Sequence, residues 1–297
     1  MWVNDRIASC QKAIRRFLRE RECECVRASE ELHRCLLSPG QQSIFSVYIH
    51  LPEECAPSFD RVDGLAIQDP DGAVCVLLPR SSQKDLELAA RLKLRGNVYK
   101  IAGIMQDVRR LVLAVDEGEW NNQSFMLMLM RARGEDIPFG VAEEAGGPTR
   151  GSRVVIRNAT IEDLDALLSL HMAYEREELS LESTQAETEM RMTSLLRQQI
   201  VAIAFCGDEP IGKINTNARG YFYDQIGGFY VKPECRSMRV GGSLFFYLLH
   251  KIAAERRDPV LFVRHENVPA ISVYRRAGFQ PAGEYGMSTM SSTRRLS

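Results

Sequence analysis

The sequence has no surplus of either charge. Lys and Arg number 38, Asp and Glu 39, and the formal net charge is -1. That removes the global electrostatic pull by which strongly basic proteins hold nucleic acid or anionic membranes. No apolar run is long enough to span a bilayer. The N-terminal stretch MWVNDRIASCQKAIRRFLRERE scatters charge throughout and lacks the apolar core of a secretory signal. The expectation is a cytoplasmic protein with neither nucleic acid nor membrane as partner. Metal-ligand spacing is lacking too. The 8 Cys lie mostly in the first third, and Cys23, Cys25, His33 and Cys35 do not follow a structural-zinc pattern. Free thiols and no metal are expected.

What is present is an ordinary globular composition, 45% apolar and 26% charged, in 297 residues, enough for two domains. Residues 5–37 read as one amphipathic helix ended by Ser38-Pro39-Gly40. IFSVYIH (44–50) reads as a strand, and GLAIQ-DPDG-AVCVLLP as a β-hairpin around strong turn chemistry. A helix over 82–95, a strand VYKIAG, a helix IMQDVRRLVLAV and a strand SFMLMLMR follow. The alternation is α/β. GEDIPFGVAEEAGGPTRGS has no periodicity and is rich in Gly and Pro, so it reads as a linker. The boundary falls near 150, between domains 1–150 and 151–297.

The second half reads as β-α-α-β-β-β-α-β-α-β. Its centre is Val231 to Leu249. The strand QIGGFYVKP stops at Pro233, and a loop carrying Arg236, Arg239, Gly241 and Gly242 follows. Then Leu244, Phe245, Leu248, Leu249 and Ile252 recur at helical period. The first turn of a helix presents unpaired N–H groups and a positive dipole end, both of which attract an anion. Arginine forks suit phosphate oxygens. On chemistry alone this is an anion-holding turn or an ordinary crossover.

Two motifs narrow it. Val231-x-Pro233-x-x-Arg236-x-x-x-x-Gly241-x-x-Leu244 resembles the pyrophosphate loop of the GNAT superfamily of acyl-CoA-dependent N-acyltransferases, and Asn267-x-x-Ala270-x-x-x-Tyr274-x-x-x-Gly278-Phe279 resembles its other signature. The resemblance covers about 153–290. It implies a mixed, mostly antiparallel sheet that splays open at its centre, with helices against it. One departure stands out: Arg239 occupies a position where the family prefers glycine. The first half resembles the degenerate repeat of tandem-GNAT proteins. GLAIQDPDGAVCVLLP echoes IVAIAFCGDEPIGKINT, and VYKIAGIMQDVRRLVLAV echoes a crossover without the phosphate loop.

The resemblance implies acetyl-CoA as acyl donor and direct transfer to the amine of a small molecule or protein, by a monomer or homodimer. The alternative is a non-catalytic acyl-CoA-binding sensor or regulatory module. Tyr274 is the implied acid for the departing thiolate, since a phenol is protonated at neutral pH. The Val231 amide is the implied carbonyl polariser. The implied cofactor set is Tyr230, Val231, Arg236, Ser237, Met238, Arg239, Val240, Gly241, Gly242, Ser243 and Asn267. For the base, Asp224 at the head of the central strand is the first choice, with Glu175, Glu177 and Glu178 as alternatives. His265 and Glu266 end the next strand and stay open as cleft residues. Asn215, Asn217 and Tyr223 are acceptor-side candidates.

Overall fold

The computed structural model describes residues 1–4, 7–37, 45–52, 60–80, 85–94, 96–115, 118–131, 153–179, 181–236 and 238–291. The first half holds β1 (Trp2–Val3), α1 (Gln11–Arg21), α2 (Val26–Leu37), β2 (Ser46–His50), β3 (Gly64–Gln68), β4 (Ala73–Leu77), α3 (Asp85–Lys93), β5 (Lys100–Ile104), α4 (Met105–Val115) and β6 (Trp120–Leu129). The second holds β7 (Val154–Asn158), α5 (Leu164–Tyr174), α6 (Gln185–Gln198), β8 (Val201–Cys206), β9 (Glu209–Arg219), β10 (Tyr223–Val231), α7 (Val240–Ala254), β11 (Asp258–Val263), α8 (Val268–Arg276) and β12 (Gln280–Met290). Both halves run β-α-α-β-β-β-α-β-α-β, so the internal repeat is one of element order.

That order moves the expected echo by one strand. β3 and β4 answer to β9 and β10, not to β8 and β9, and β5 with α4 answers to β11 with α8. The parallel pairs agree: β4 with β5 and β10 with β11, every other pairing being antiparallel. The linker expected over 134–152 lies outside the described residues.

All strands join one 12-stranded sheet, in the order β1-β2-β3-β4-β5-β12-β6-β11-β10-β9-β8-β7. The two halves exchange their last strands. β6 of the first half lies along β11 of the second, and β12 returns to β5 of the first. β6 and β12 pair with each other over the length of β12. Each half therefore has its sheet completed by the other.

Helices cover both faces, which is why the inner strands are apolar on both sides. Successive side chains of a strand point to opposite faces. On β8, Val201 and Ile203 pack under α5 and α6, while Ala202 and Ala204 pack under α7. On β4, Cys75 and Leu77 face α1 and α2, and Val74 and Val76 face α3 and α4.

The single helix expected over 5–37 is two helices. Glu22–Glu24 forms a 3-10 turn, and Cys25 at φ -160°, ψ 77° leaves the helical path. The cause is Glu22, fully buried and turned toward the hairpin between β9 and β10. Its carboxylate accepts the backbone N–H groups of Tyr221, Phe222 and Tyr223 at 2.7, 2.6 and 2.9 Å. In the second half, Thr160 caps its helix with Asp163 in a capping box, as the sequence predicts.

Candidate active site

β10 and β11 run in register from Tyr223–Asp258 to Ile226–Leu261 and then part. β10 stays with β9 across a bulge between Gly227 and Tyr230, where Gly228 has φ 55°. Beyond the parting lies a cavity of about 310 Å3 walled by Tyr174, Glu178, Phe229, Val231, Asn267 and Tyr274, among others. Lys232 donates its N–H to Ile211 O at 2.9 Å. Antiparallel pairs alternate between bonded and non-bonded, so the N–H of Val231 points away from β9, toward the gap that β11 leaves.

A second cavity of about 910 Å3 lies between the loop after β10, the first turn of α7 and the face of α8. Phe229, Val231, Arg236 and Ala270 line both, so the two form one cleft. The amides of Val240, Gly241 and Gly242 precede the first intrahelical bond, Ser243 N–H to Arg239 O at 3.0 Å. No side chain caps this helix. A Cβ built on Gly242 would meet nothing within 4 Å, so the backbone there is open to an approaching group.

Arg239 has φ 63° and ψ 1°, a left-handed position that glycine adopts freely. The loop has kept its backbone shape with an arginine in it, at a cost of about 1–2 kcal/mol. Arg239, Gly241, Gly242 and Ser243 line the larger cavity. Val240 is buried in the core and Met238 packs against it, so the side chains of these two do not line the cleft. Ser237 lies outside the described residues. Arg236 lines both cavities, but its guanidinium donates to Val231 O at 3.0 Å and to Glu177 at 2.5 Å. Glu177 also accepts the Tyr230 hydroxyl at 2.6 Å; burial first, then this bond, raises the Tyr230 phenol to about 12.

Tyr274 is buried on α8 between Phe245 and Phe279 and lines the smaller cavity. Burial, then the proximity of Tyr174 and Glu178, raises its phenol well above the usual value, so it holds its proton. Asn267 both lines the cavity and caps α8, accepting the Ala270 N–H at 3.2 Å.

Asp224 is a correction. It is 0% exposed, sits where β10 and β11 are still paired, and is held by Arg219 at 3.4 Å and Arg257 at 3.2 Å. Being at the head of the strand put it at the closed end of the splay, away from the cleft. Tyr223 sits beside it at that end, paired with Asp258. Of the alternatives, Glu175 is buried and paired with Arg191, and Glu177 is taken by Tyr230 and Arg236. Glu178 is the carboxylate lining the cleft among the described residues. Arg264 lines it rather than His265 or Glu266. Asn215 and Asn217 lie under the bulge: a Cβ on Gly228 would fall 2.0 Å from Asn215 Oδ1, and one on Gly227 1.9 Å from Asn217 Nδ2.

Two features at or beneath the cleft escaped the sequence. Phe125 lines the wall from β6, the exchanged strand, and nothing local in the sequence marks that exchange. Lys213 is 0% exposed on β9 beneath the bulge. Its signal was a lone lysine in the apolar alternation IGKIN.

The matching place in the first half is filled. After the last β4–β5 pair, Val76–Gly103, Asp107 accepts the Leu78 N–H at 2.8 Å and the Arg21 guanidinium at 3.0 Å. Asp107 is the third residue of α4, and the third residue of α8 is Ala270, which lines the open cleft. A carboxylate thus closes in one half the gap that an alanine leaves open in the other.

The sheet is mixed α/β and splays at a bulged central strand, with a helix N-terminus that no side chain caps on one side of the gap and a buried tyrosine on the other. Residues 164–279 match the family model of the Acetyltransferase (GNAT) family, and this part of the chain is a GNAT domain. The whole chain shares its fold with a Drosophila protein at 15% identity, TM-score 0.64, covering 96% of each chain. It shares it also with the tandem GNAT protein from the clavulanic acid biosynthesis pathway, at 12% identity, TM-score 0.57 and 97% of each chain. A GNAT-family acetyltransferase from Colwellia psychrerythraea aligns at 12% identity and TM-score 0.50, over 86% of this chain and 90% of that one. At these identities the likeness is one of fold. No curated protein matches the chain. No helix among the described residues is long and apolar enough to cross a membrane, and no group of three or more metal-ligating side chains gathers among them.

Proposed function

We propose that the second half transfers an acetyl group from acetyl-CoA to the amine of a small molecule or protein, by direct transfer within a ternary complex. The observation that carries this is the continuous cleft joining Tyr274 to the uncapped first turn of α7. The residues fit the donor. The open backbone at Gly242, the amides of Val240 to Gly242 and the guanidinium of Arg239 are a donor set for a pyrophosphate. Arg236 joins that set once it exchanges Glu177 for a phosphate oxygen. Asn267 and Ala270 flank the path from there to the smaller cavity. When bound, acetyl-CoA supplies the acyl group as a thioester.

The chain's own groups do the rest. The Val231 N–H, pointing into the gap, polarises the carbonyl of the acyl group. Glu178 takes the proton of the attacking amine, directly or through one water. The Tyr274 hydroxyl gives its proton to the departing sulfur. Its buried setting keeps it protonated until that moment. The first half supplies Phe125 to the acceptor wall and binds no acyl-CoA, because Asp107 and Arg21 occupy its gap.

Calorimetry with acetyl-CoA and with CoA, followed by thiol release across a panel of amines, tests the reading. Micromolar binding with release is expected. Binding without release from any amine marks a sensor, and no binding at millimolar donor defeats both. Tyr274→Phe should lower kcat with donor affinity nearly unchanged; a large loss of affinity would make Tyr274 a packing residue.

A further inference from the structure

Lys213 has no part in the mechanism above, yet it lies directly beneath it. A lysine at 0% exposure is uncommon, and its burial costs several kcal/mol of desolvation unless the ammonium is well bonded. Its nitrogen donates to the Gly228 carbonyl at 2.9 Å, reaches Asn215 Oδ1 at 3.5 Å, and lies 5.1 Å from the centroid of the Tyr174 ring. The cation is therefore directed at one backbone carbonyl in the bulge of β10, with an aromatic face beside it.

Gly228 is shaped around this contact. Its φ of 55° suits glycine, and a Cβ there would fall 3.0 Å from the lysine nitrogen. The described chain has no cis peptide. A trans peptide sets its N–H opposite to its carbonyl, so the Phe229 N–H points away from Lys213. Phe229 lines both parts of the cleft. A cation on a peptide oxygen draws charge from the same peptide's N–H and makes it a stronger donor.

Resting on the acyltransferase reading, we propose that Lys213 is a positioning residue for acyl transfer. Its ammonium, bonded to the Gly228 carbonyl, pins the bulge of β10 and strengthens the Phe229 N–H as a donor at the cleft.

The contact carries a pH signature. Burial lowers the Lys213 pKa to about 7, with Glu175 opposing the shift. The groups facing it are His171 and Tyr174 of α5, Glu175 of the following turn with Arg191 of α6 on it, and Asn215 of β9. Arg264 from the end of β11 reaches Tyr174. Burial lowers His171 to about 3, so His171 stays neutral while Lys213 titrates. As pH rises through about 7 the ammonium is lost, and with it the polarisation of the 228–229 peptide.

The experiment uses the full chain as wild type, K213M and K213Q. The first readout is the Phe229 amide shift in 1H–15N spectra across neutral pH. It should titrate with a midpoint near 7 in the wild type and stay flat in both variants. The second is steady-state acyl transfer. The variants should lose kcat by about tenfold or more while acetyl-CoA affinity stays within about twofold. K213Q keeps a donor for the Gly228 carbonyl without the charge, and it carries the test if K213M does not fold. A flat Phe229 shift in the wild type, or variants that transfer at the wild-type rate, overturns the proposal alone. A wild type that neither binds acetyl-CoA nor transfers overturns the acyltransferase reading and this proposal with it.

Discussion

The carboxylate of Glu22 accepts the backbone N–H of Phe222 at 2.6 Å, across 200 positions of chain. Tyr221 and Tyr223 donate to the same carboxylate, and so does the Ser29 hydroxyl. This contact fixes the turn from which β10 starts, and so ties the first half to the closed end of the splay. Glu22→Ala leaves three hairpin amides without their acceptor. A loss of about 3 kcal/mol or more is expected, read by urea unfolding as a lower midpoint in a single transition for both halves. Two separated transitions would mean that the halves do not depend on this lock.

Arg239→Gly replaces a left-handed arginine with the residue that suits φ 63°. The relief of folded-state strain exceeds the cost of the added chain entropy, for a net stabilisation of about 0.5–1 kcal/mol. Acetyl-CoA should bind several-fold more weakly and with less dependence on salt, since a guanidinium leaves the cleft. Unchanged affinity would show that the loop holds the donor through its backbone alone.

Glu178→Gln keeps the size and removes the base. kcat/KM should fall by on the order of 10²–10⁴, with donor affinity unchanged. An undiminished rate would return the base to a water or to the amine itself.

Phe125→Ala should raise the KM of the amine while acetyl-CoA affinity stays constant. The side chain lines the smaller cavity from β6 and does not line the larger one. A shift in donor affinity instead would place it on the other substrate's path.

His171 gives a stability change with pH. Burial lowers its pKa from 6.5 to about 3. The unfolded chain takes up a proton below pH 6.5 that the fold refuses until about pH 3, so this contribution is full above 6.5 and is lost as pH falls. The slope is at most about 1.4 kcal/mol per pH unit. His171→Leu should flatten the fall in melting temperature on acidification, because the group that refuses the proton is gone; neither buried ring nitrogen makes a hydrogen bond, and Glu175, 3.5 Å from Nε2, keeps its ion pair with Arg191.

The second half was legible almost element by element, because its cues are local. Thr160 with Asp163 marked one helix start, Asn267 with Pro269 another, and the apolar period from Leu244 to Ile252 marked α7. The family's two signatures fell on the two walls of one cleft. The sequence put Asp224 ahead of Glu178 as the cleft carboxylate because the two look alike in one dimension. Only the point at which β11 parts from β10 puts one in a buried arginine clamp and the other at the cavity. Glu22 was hidden for a similar reason: a glutamate inside an amphipathic run gives no sign that its partners lie far along the chain.

The sequence by itself determined the alternation of strands and helices, the place of the glycine-containing turn before α7 and that of the tyrosine on α8, since each depends on neighbours within a few residues. Tertiary structure alone decided that β6 and β12 change places, that Asp107 closes the first half's gap while Ala270 leaves the second open, and that Lys213 lies beneath Gly228. Those outcomes depend on which strand edges meet and which charges are left inside, and pairing between distant strands leaves no period in the sequence to read.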